Sequence, residues 1–261
     1  MTMKSQRLSG KRALVTAGAQ GIGAAISRHL LAAGCDVFIH YHSSAATAGV
    51  IEKEAAALGR RCASASADLT KAADCERFVA EGVKFLGGLD VLVNNAGSIV
   101  ARKTLAEADE DFWTEVMALN FDSLRRVTKA ATPHLIAAAK SAGGASIVNI
   151  SSLAGRKGGH AGSLPYSTSK GAVLTFTRAL AAELGSYGVR VNAVAPGFVQ
   201  GTSFHAIHTT PDSAKLTVSG LPVGRAGTPD DIARGAVYLA AEYDGFITGA
   251  TLDINGGQYF C

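Results

Sequence analysis

Short apolar runs rich in β-branched residues alternate along the chain with longer stretches whose apolar residues recur at helical spacing. The runs are Ala13–Thr16, Val37–Tyr41, Arg61–Ala65, Val91–Asn94, Ser146–Ser151, Arg190–Ala195 and Thr251–Ile254. Helical spacing covers Gly21–Ala33, Ala45–Leu58, Ala73–Leu86, Asp109–Ala139, Pro165–Tyr187 and Pro229–Ala241. A run apolar at nearly every position suits a strand covered on both faces, and strands separated by helices indicate a parallel sheet. The pattern predicts an α/β fold: a doubly wound parallel sheet of seven strands with helices on both faces, forming one domain over residues 1–261. The last helix has a marked start, with Thr228 as N-cap, Pro229 at the first helical position and Asp231 closing a capping box. Residues 200–221 break the alternation, mixing Ser, Thr, His, Gly and Pro with Phe204, Ile207 and Leu216. They read as a functional loop or lid over a substrate.

Composition narrows the class without choosing a function. With 48% hydrophobic and 18% charged residues, the 261-residue chain is neither disordered nor collagen-like. Its net charge of +4 is spread without a run of like charges, which gives nucleic-acid binding no support. Cys35, Cys62, Cys75 and Cys261 are scattered and form no C-x-x-C pair, which argues against a zinc site or a disulfide framework and fits a reducing cytoplasm. Lys4, Arg7, Lys11 and Arg12 precede an apolar stretch, but Gly18, Gly21 and Gly23 interrupt it, so no signal peptide is expected. No apolar run is long enough to span a membrane. Asn149-Ile150-Ser151 matches the glycosylation pattern but reads better as the end of a buried strand.

Candidate chemistry begins where the first strand runs through Ala17-Gly18-Ala19-Gln20-Gly21-Ile22-Gly23 into a helix. Glycines allow a sharp turn and a close backbone approach, and the free N–H groups of a first helical turn favour a pyrophosphate. A tight turn that binds nothing is the alternative. Tyr166 and Lys170 are four residues apart, on one face of a helix, where an ammonium would favour the phenolate. Taken alone, that pair also suits a surface helix flank. Ser152 follows an apolar strand at the carboxyl edge of the predicted sheet, where ligands of open α/β folds bind; a helix cap is the bland reading. Asn120 alone would be a buried structural residue. His40/His42 and His205/His208 have no convincing metal-ligand spacing, and no G-x-S-x-G elbow suggests a hydrolase.

Taken in order, Thr16 to Gly23, Asp68-Leu69, Asn94-Asn95-Ala96-Gly97, Asn120, Ser151-Ser152, Tyr166 to Lys170, Pro196-Gly197 and Asn255-Gly256-Gly257 resemble the short-chain dehydrogenase/reductase family along nearly the whole chain. Members similar to 3-oxoacyl-carrier-protein reductase and glucose dehydrogenase are the natural comparison. The resemblance implies a Rossmann-type fold and hydride transfer between a nicotinamide and a ketone or secondary alcohol. It implies Asn120, Ser152, Tyr166 and Lys170 as the catalytic set: Ser152 binding the carbonyl oxygen, Tyr166 as general acid or base, Lys170 lowering the tyrosine pKa and holding the nicotinamide ribose, Asn120 supporting Lys170 and a water. Ser152 lies one residue farther from Tyr166 than the family spacing, which an insertion within Leu153–Pro165 accounts for; Ser151 is the weaker candidate. The implied cofactor-binding residues are Gly18, Gln20, Gly21, Ile22, Gly23, Tyr41, His42, Ser43, Asp68, Leu69, Asn95, Ala96, Gly97, Pro196, Gly197 and Val199, together with Tyr166 and Lys170. The first glycine of the family's turn is here Ala17, whose methyl would crowd a pyrophosphate.

The second strand ends His40-Tyr41-His42-Ser43-Ser44, with Tyr41 where an NAD-selective acid would stand, so NADP(H) is expected over NAD(H), although Gln20 replaces a common basic residue. Carrier-protein reductases of the family dock their partner with basic residues; the matching positions, about Gly143 and Tyr187, are uncharged, and Arg102, Lys103, Arg156 and Lys157 are possible substitutes. The reading is an NADPH-dependent reductase of a small ketone, with a 3-oxoacyl-carrier-protein reductase or a catalytically silent nucleotide-binding regulator as alternatives. The resemblance also implies a homotetramer built on Asp109–Ala139 and Pro165–Tyr187.

Overall fold

The computed structural model describes residues 8–241 and 245–260; Lys4, Arg7 and Cys261 lie outside them, as do the side chains of Phe204 and His205. Seven parallel strands form one sheet: β1 (Arg12–Val15), β2 (Asp36–Tyr41), β3 (Cys62–Ser66), β4 (Val91–Asn94), β5 (Ala145–Ile150), β6 (Val189–Pro196) and β7 (Thr251–Ile254). Their spatial order is β3-β2-β1-β4-β5-β6-β7, so the chain reverses its winding between β1 and β4. The helices are α1 (Gly21–Ala32), α2 (Ala45–Ala57), α3 (Ala72–Leu86), α4 (Glu110–Met117), α5 (Ser123–Ala142), α6 (Leu153–Lys157), α7 (Leu164–Leu184), α8 (Ser203–His208), α9 (Pro211–Ser219) and α10 (Pro229–Ala240).

Alternation along the strands divides the apolar residues between two layers. Val15, Ile39, Val93 and Val148 meet Ile26 and Leu30 of α1, Ile51 of α2 and Ile232 and Ala236 of α10. Leu14, Phe38, Leu92 and Ile147 meet Phe78 of α3, Leu135 of α5 and Leu180 of α7 on the other face. Register aligns these rows: Leu14 opposes Leu92, which opposes Ile147, and Val15 opposes Val93, which opposes Val148. Each such side chain is essentially removed from water, a gain of about 1.5–3 kcal/mol apiece.

Three expectations change. The stretch Asp109–Ala139 is not one helix: α4 and α5 are joined by a π-helical turn, Ala118–Asp122. There the Asn120 side chain donates to the Val116 carbonyl, one turn back, and competes with the ordinary helical register. The segment 200–221 contains helices α8 and α9, with Thr210 capping the Ser213 N–H and Pro211 at the start of α9. Its weak apolar periodicity hides them because α9 buries no residue. Residues 165–187 form α7 followed by a 3₁₀ turn, Gly185–Tyr187. The expected strands are otherwise met, with shifts of one residue at several ends: Thr16 lies beyond β1, Arg61 before β3 and Ser151 beyond β5. Asn149 is buried inside β5, as expected for a strand rather than a glycan acceptor. The capping box of α10 forms between Thr228 and Asp231.

A polar seam runs through the second layer. Asn94 Nδ2 donates to Thr128 Oγ1 and to Asn149 Oδ1, each at 2.9 Å, and Asn149 Nδ2 donates to Thr177 Oγ1 at 3.0 Å. All four residues are buried, so removing one acceptor leaves a donor without water or protein to meet it. Thr177→Val, nearly isosteric, is therefore expected to lower unfolding free energy by about 1–3 kcal/mol, read from the urea midpoint at unchanged slope.

Candidate active site

A cleft of about 670 Å³ opens at the carboxyl edge of the sheet, where the loops after β1, β4, β5 and β6 converge. The first wall is the β1–α1 turn. Gln20, the N-cap of α1, is extended and no side chain caps the helix, so the N–H groups of the first turn remain available beside the cleft that Gln20, Gly21 and Ile22 line. Gly23 lies against the turn: a Cβ there would run into the Ala17 carbonyl oxygen and lie 2.5 Å from Asn95 Nδ2. Gly18 is needed for packing, since a Cβ would stand 2.8 Å from Ser27 Oγ and 2.9 Å from Ile39 Cγ2. A turn that requires bare backbone and presents unpaired N–H groups fits a dinucleotide pyrophosphate.

Ala17 follows the glycine-like path, with φ of +47°. This left-handed conformation costs an L-residue about 1–2 kcal/mol. Hydrogen bonds oppose that cost: Ala17 N–H donates to His40 Nδ1 at 2.9 Å, and Asn95 Nδ2 donates to the Ala17 carbonyl at 3.2 Å. Since His40 Nδ1 accepts, its proton sits on Nε2, which donates to the Ala67 carbonyl at 3.0 Å. Burial lowers the His40 pKa, which keeps this ring neutral. Both ring nitrogens are thus engaged in shaping the turn.

The second wall comes from β4 and the helices beyond it. Thr16 Oγ1 accepts from Asn95 N–H at 2.8 Å and Ala96 N–H at 3.0 Å, tying the end of β1 to the end of β4. Gly97 then passes close to two site residues: a Cβ on it would lie 2.6 Å from Asn120 Oδ1 and 2.9 Å from Lys170 Nζ. Asn120, fully buried, donates to the Ser98 and Val116 carbonyls and accepts from Ser98 N–H. Its side chain thus holds the β4 loop rather than bonding Lys170 directly, which modifies the expected role. Lys170 Nζ is buried and donates to the Ile150 carbonyl at 3.0 Å; burial pushes its pKa down to about 8.

Ser152 caps α6, accepting from Ala154 N–H at 3.1 Å, and is hydrogen-bonded to the Tyr166 side chain. The helix-cap reading of this serine is therefore realised, and its hydroxyl also meets the tyrosine expected beside it. Ser151, by contrast, donates to the Lys170 carbonyl at 2.8 Å. The tyrosine expectation is corrected: burial raises the Tyr166 pKa, against a smaller lowering by Ser152. Lys170 Nζ stands 5.9 Å from the Tyr166 ring centre, and desolvation of the phenolate dominates.

The other expected cofactor residues divide into two groups. Asn95, Gly97, Pro196, Gly197 and Val199 line the cleft with Tyr166 and Lys170. Tyr41, His42, Ser43, Asp68, Leu69 and Ala96 are not part of its lining, and neither are Gly18 and Gly23, which shape the turn from behind. Tyr41 packs against the α1 layer, His42 and Ser43 are exposed, and Ser44 Oγ donates to Gln20 Oε1. The Asp68 carboxylate accepts from Thr70 N–H and Oγ–H and pairs with Lys71, which holds its pKa down; Leu69 is buried. Gly143 and Tyr187 precede β5 and β6 at the amino end of the sheet, away from the cleft. Sequence reasoning missed His160, Phe198 and Gln258, which lie in connections whose path no periodicity reveals; Thr202 and the α9 residues on the cleft wall fall within the expected substrate segment 200–221, whose helices went unread although Thr210-Pro211 signalled α9.

A family model described as enoyl-(acyl carrier protein) reductase matches residues 16–258. The chain belongs to the short-chain dehydrogenase/reductase family of oxidoreductases, which bind a nicotinamide cofactor. Among curated relatives, nodulation protein G of Azospirillum brasilense is 39% identical, with 96% of this chain and 98% of that protein covered. Acetoacetyl-CoA reductase of Allochromatium vinosum is 37% identical over 95% and 98%. Among solved structures, an NADH-dependent reductase responsible for alginate metabolism superposes with a TM-score of 0.89 at 35% identity, covering 97% of this chain and 99% of that one. A short-chain dehydrogenase from Burkholderia cenocepacia J2315 in complex with NADP gives 0.87 at 33%, covering 96% and 98%.

Relief of the left-handed strain at position 17 is directly measurable. Ala17→Gly is expected to raise unfolding free energy by about 1 kcal/mol in chemical denaturation while cofactor affinity is retained.

Proposed function

We propose that this chain is an NADPH-dependent reductase of small ketones. The observation that carries the reading is the Ser152–Tyr166 hydrogen bond beside buried Lys170, on the same cleft as the uncapped start of α1. A bound nicotinamide would supply the hydride; the protein binds, orients and moves the proton. The first-turn N–H groups of α1 would receive the pyrophosphate, and Gly97, Pro196, Gly197 and Val199, which line the cleft, would hold the rest of the dinucleotide. Ser152 Oγ donates to the carbonyl oxygen as negative charge develops there, and Tyr166 donates its phenolic proton to the same oxygen. A raised Tyr166 pKa keeps the phenol protonated at neutral pH, the form required for reduction. Lys170, charged below its pKa of about 8, holds the ribose and favours the phenolate left after transfer. Asn120 positions the Gly97–Ser98 loop against this ammonium.

Preference for NADPH over NADH rests on the end of β2, where Tyr41, His42, Ser43 and Ser44 offer hydroxyls and an imidazole but no carboxylate to repel a 2′-phosphate. The solved relatives include both NADH- and NADP-linked proteins. The acetoacetyl-CoA reductase relative favours, as a second reading, reduction of a 3-oxoacyl thioester. In this proposal residues 1–261 act as one catalytic domain with residues 200–221 covering the substrate. Fully exposed Phe246 and exposed Phe260 support self-association, read as a homotetramer that also uses α4–α5 and α7. Free thiols at Cys35, Cys62 and Cys75 support a reducing cytoplasm.

Turnover of NADPH with a panel of ketones, sugars and acyl thioesters tests the reading. Tyr166→Phe should lose nearly all turnover while binding cofactor as before; undiminished turnover would remove Tyr166 from the mechanism. Tyr41→Asp should shift the NADPH-to-NADH ratio of kcat/KM toward NADH by about tenfold or more, through repulsion of the 2′-phosphate.

A further inference from the structure

The cleft carries charge of one sign. No Asp or Glu occurs among its lining residues, whereas Arg102, Lys157 and Lys170 all line it. Lys170 belongs to the catalytic group. The other two come from the connection between β4 and α4 and from α6, which also carry Lys103 and Arg156, and the structure separates these four cations into two classes. Arg156 makes a paired contact with the Asp253 carboxylate at 3.1 and 2.8 Å, and Lys103 lies 4.4 Å over the Phe112 ring and 3.8 Å from Asp109. Neither lines the cleft. Arg102 and Lys157 do, and neither forms an ion pair with any described residue.

Their placement is constrained on both sides. Lys157 is the last residue of α6, whose N-cap is Ser152, which puts its backbone about 8 Å along the helix axis from the Ser152 backbone. Arg102 reaches across the α6–α7 loop: Nη1 donates to the Ala161 carbonyl at 3.3 Å and Nε to the His208 carbonyl at 3.4 Å. These long contacts with neutral acceptors orient the guanidinium without neutralising it. Its charge helps hold the His208 pKa below the ordinary value, after burial. Two cations without carboxylate partners among the described residues, lining a cleft that itself holds no carboxylate, create a local field that favours an anion.

We infer that Arg102 and Lys157, which flank the α6–α7 connection, form an anion subsite of the cleft, so that the substrate is a small carbonyl compound bearing a carboxylate or phosphate. The inference rests on the reductase reading for the position of the carbonyl, and it adds the substrate's charge. The arms of the test are a chain-length series of oxo acids, their methyl esters, and an oxoacyl-CoA thioester as the phosphate-bearing probe. Each is measured for turnover with NADPH and for calorimetric binding to the enzyme–NADP complex.

The best acid should exceed its ester in kcat/KM by about tenfold at low salt, and the ratio should fall as salt screens the charges. Arg102→Gln and Lys157→Gln should each cut that ratio several-fold, mainly through KM. Superiority of the CoA thioester over every short acid, lost in both variants, assigns the anion to phosphate and also supports the subsite. Equal turnover and binding of acids and esters in the parent and both variants overturns the subsite and leaves the reductase reading standing. Acid-selective binding that both variants lose, with no turnover of any probe, supports the subsite and removes the reductase reading.

Discussion

The site depends on how the polar backbone is satisfied where β1 and β4 end side by side and their connections leave for opposite faces of the sheet. Past Val15 and Asn94 the ladder cannot continue, and the N–H groups of Asn95 and Ala96 need new acceptors. Buried Thr16 supplies one oxygen to both, and Asn95 returns its side-chain amide to the Thr16 and Ala17 carbonyls. This exchange holds the two loops at a fixed separation and sets the angle at which α1 meets the cleft. The switch point of a doubly wound sheet is therefore a place where unsatisfied backbone is tied back by a few side chains.

From that anchor the reactive groups are positioned by successive close contacts. Gly97 passes beside Asn120 and Lys170, Lys170 is pinned by the Ile150 carbonyl, and Ser151 binds the Lys170 carbonyl. Ser152 and Tyr166 meet one residue farther along. Burial then tunes the pair in opposite senses, favouring the neutral phenol and making the ammonium easier to deprotonate. The same low-dielectric surroundings strengthen any hydrogen bond that a carbonyl oxygen receives from Ser152 and Tyr166.

The layers of the sheet were legible because the central strands β1, β2, β4 and β5 are apolar at most positions and the helices beside them carry apolar stripes. Ser152, Tyr166 and Lys170 were legible as candidates only as members of an ordered set of motifs, since the four-residue spacing of Tyr166 and Lys170 alone suits any helix flank. What local patterns could not report was decided by long-range contacts. The π turn at Ala118–Asp122 arises where Asn120 bonds both Val116 and the distant Ser98. The path at Ala17 depends on His40, a residue of the neighbouring strand. Helix α9 lacks a buried stripe, so only its cap marked it. The sorting of Arg102 and Lys157 from Lys103 and Arg156 rests on Asp253, Asp109 and Phe112, which no spacing rule connects to them.

The central claim is that a hydride passes from a nicotinamide to a carbonyl carbon within this cleft. Deuterium placed on one face and then on the other face of the nicotinamide C4, followed by mass measurement of the alcohol formed, examines that step alone. One of the two labels should appear in full at the carbinol carbon, and the other should be retained on the oxidised cofactor. Alcohol free of deuterium from both labelled cofactors would contradict it.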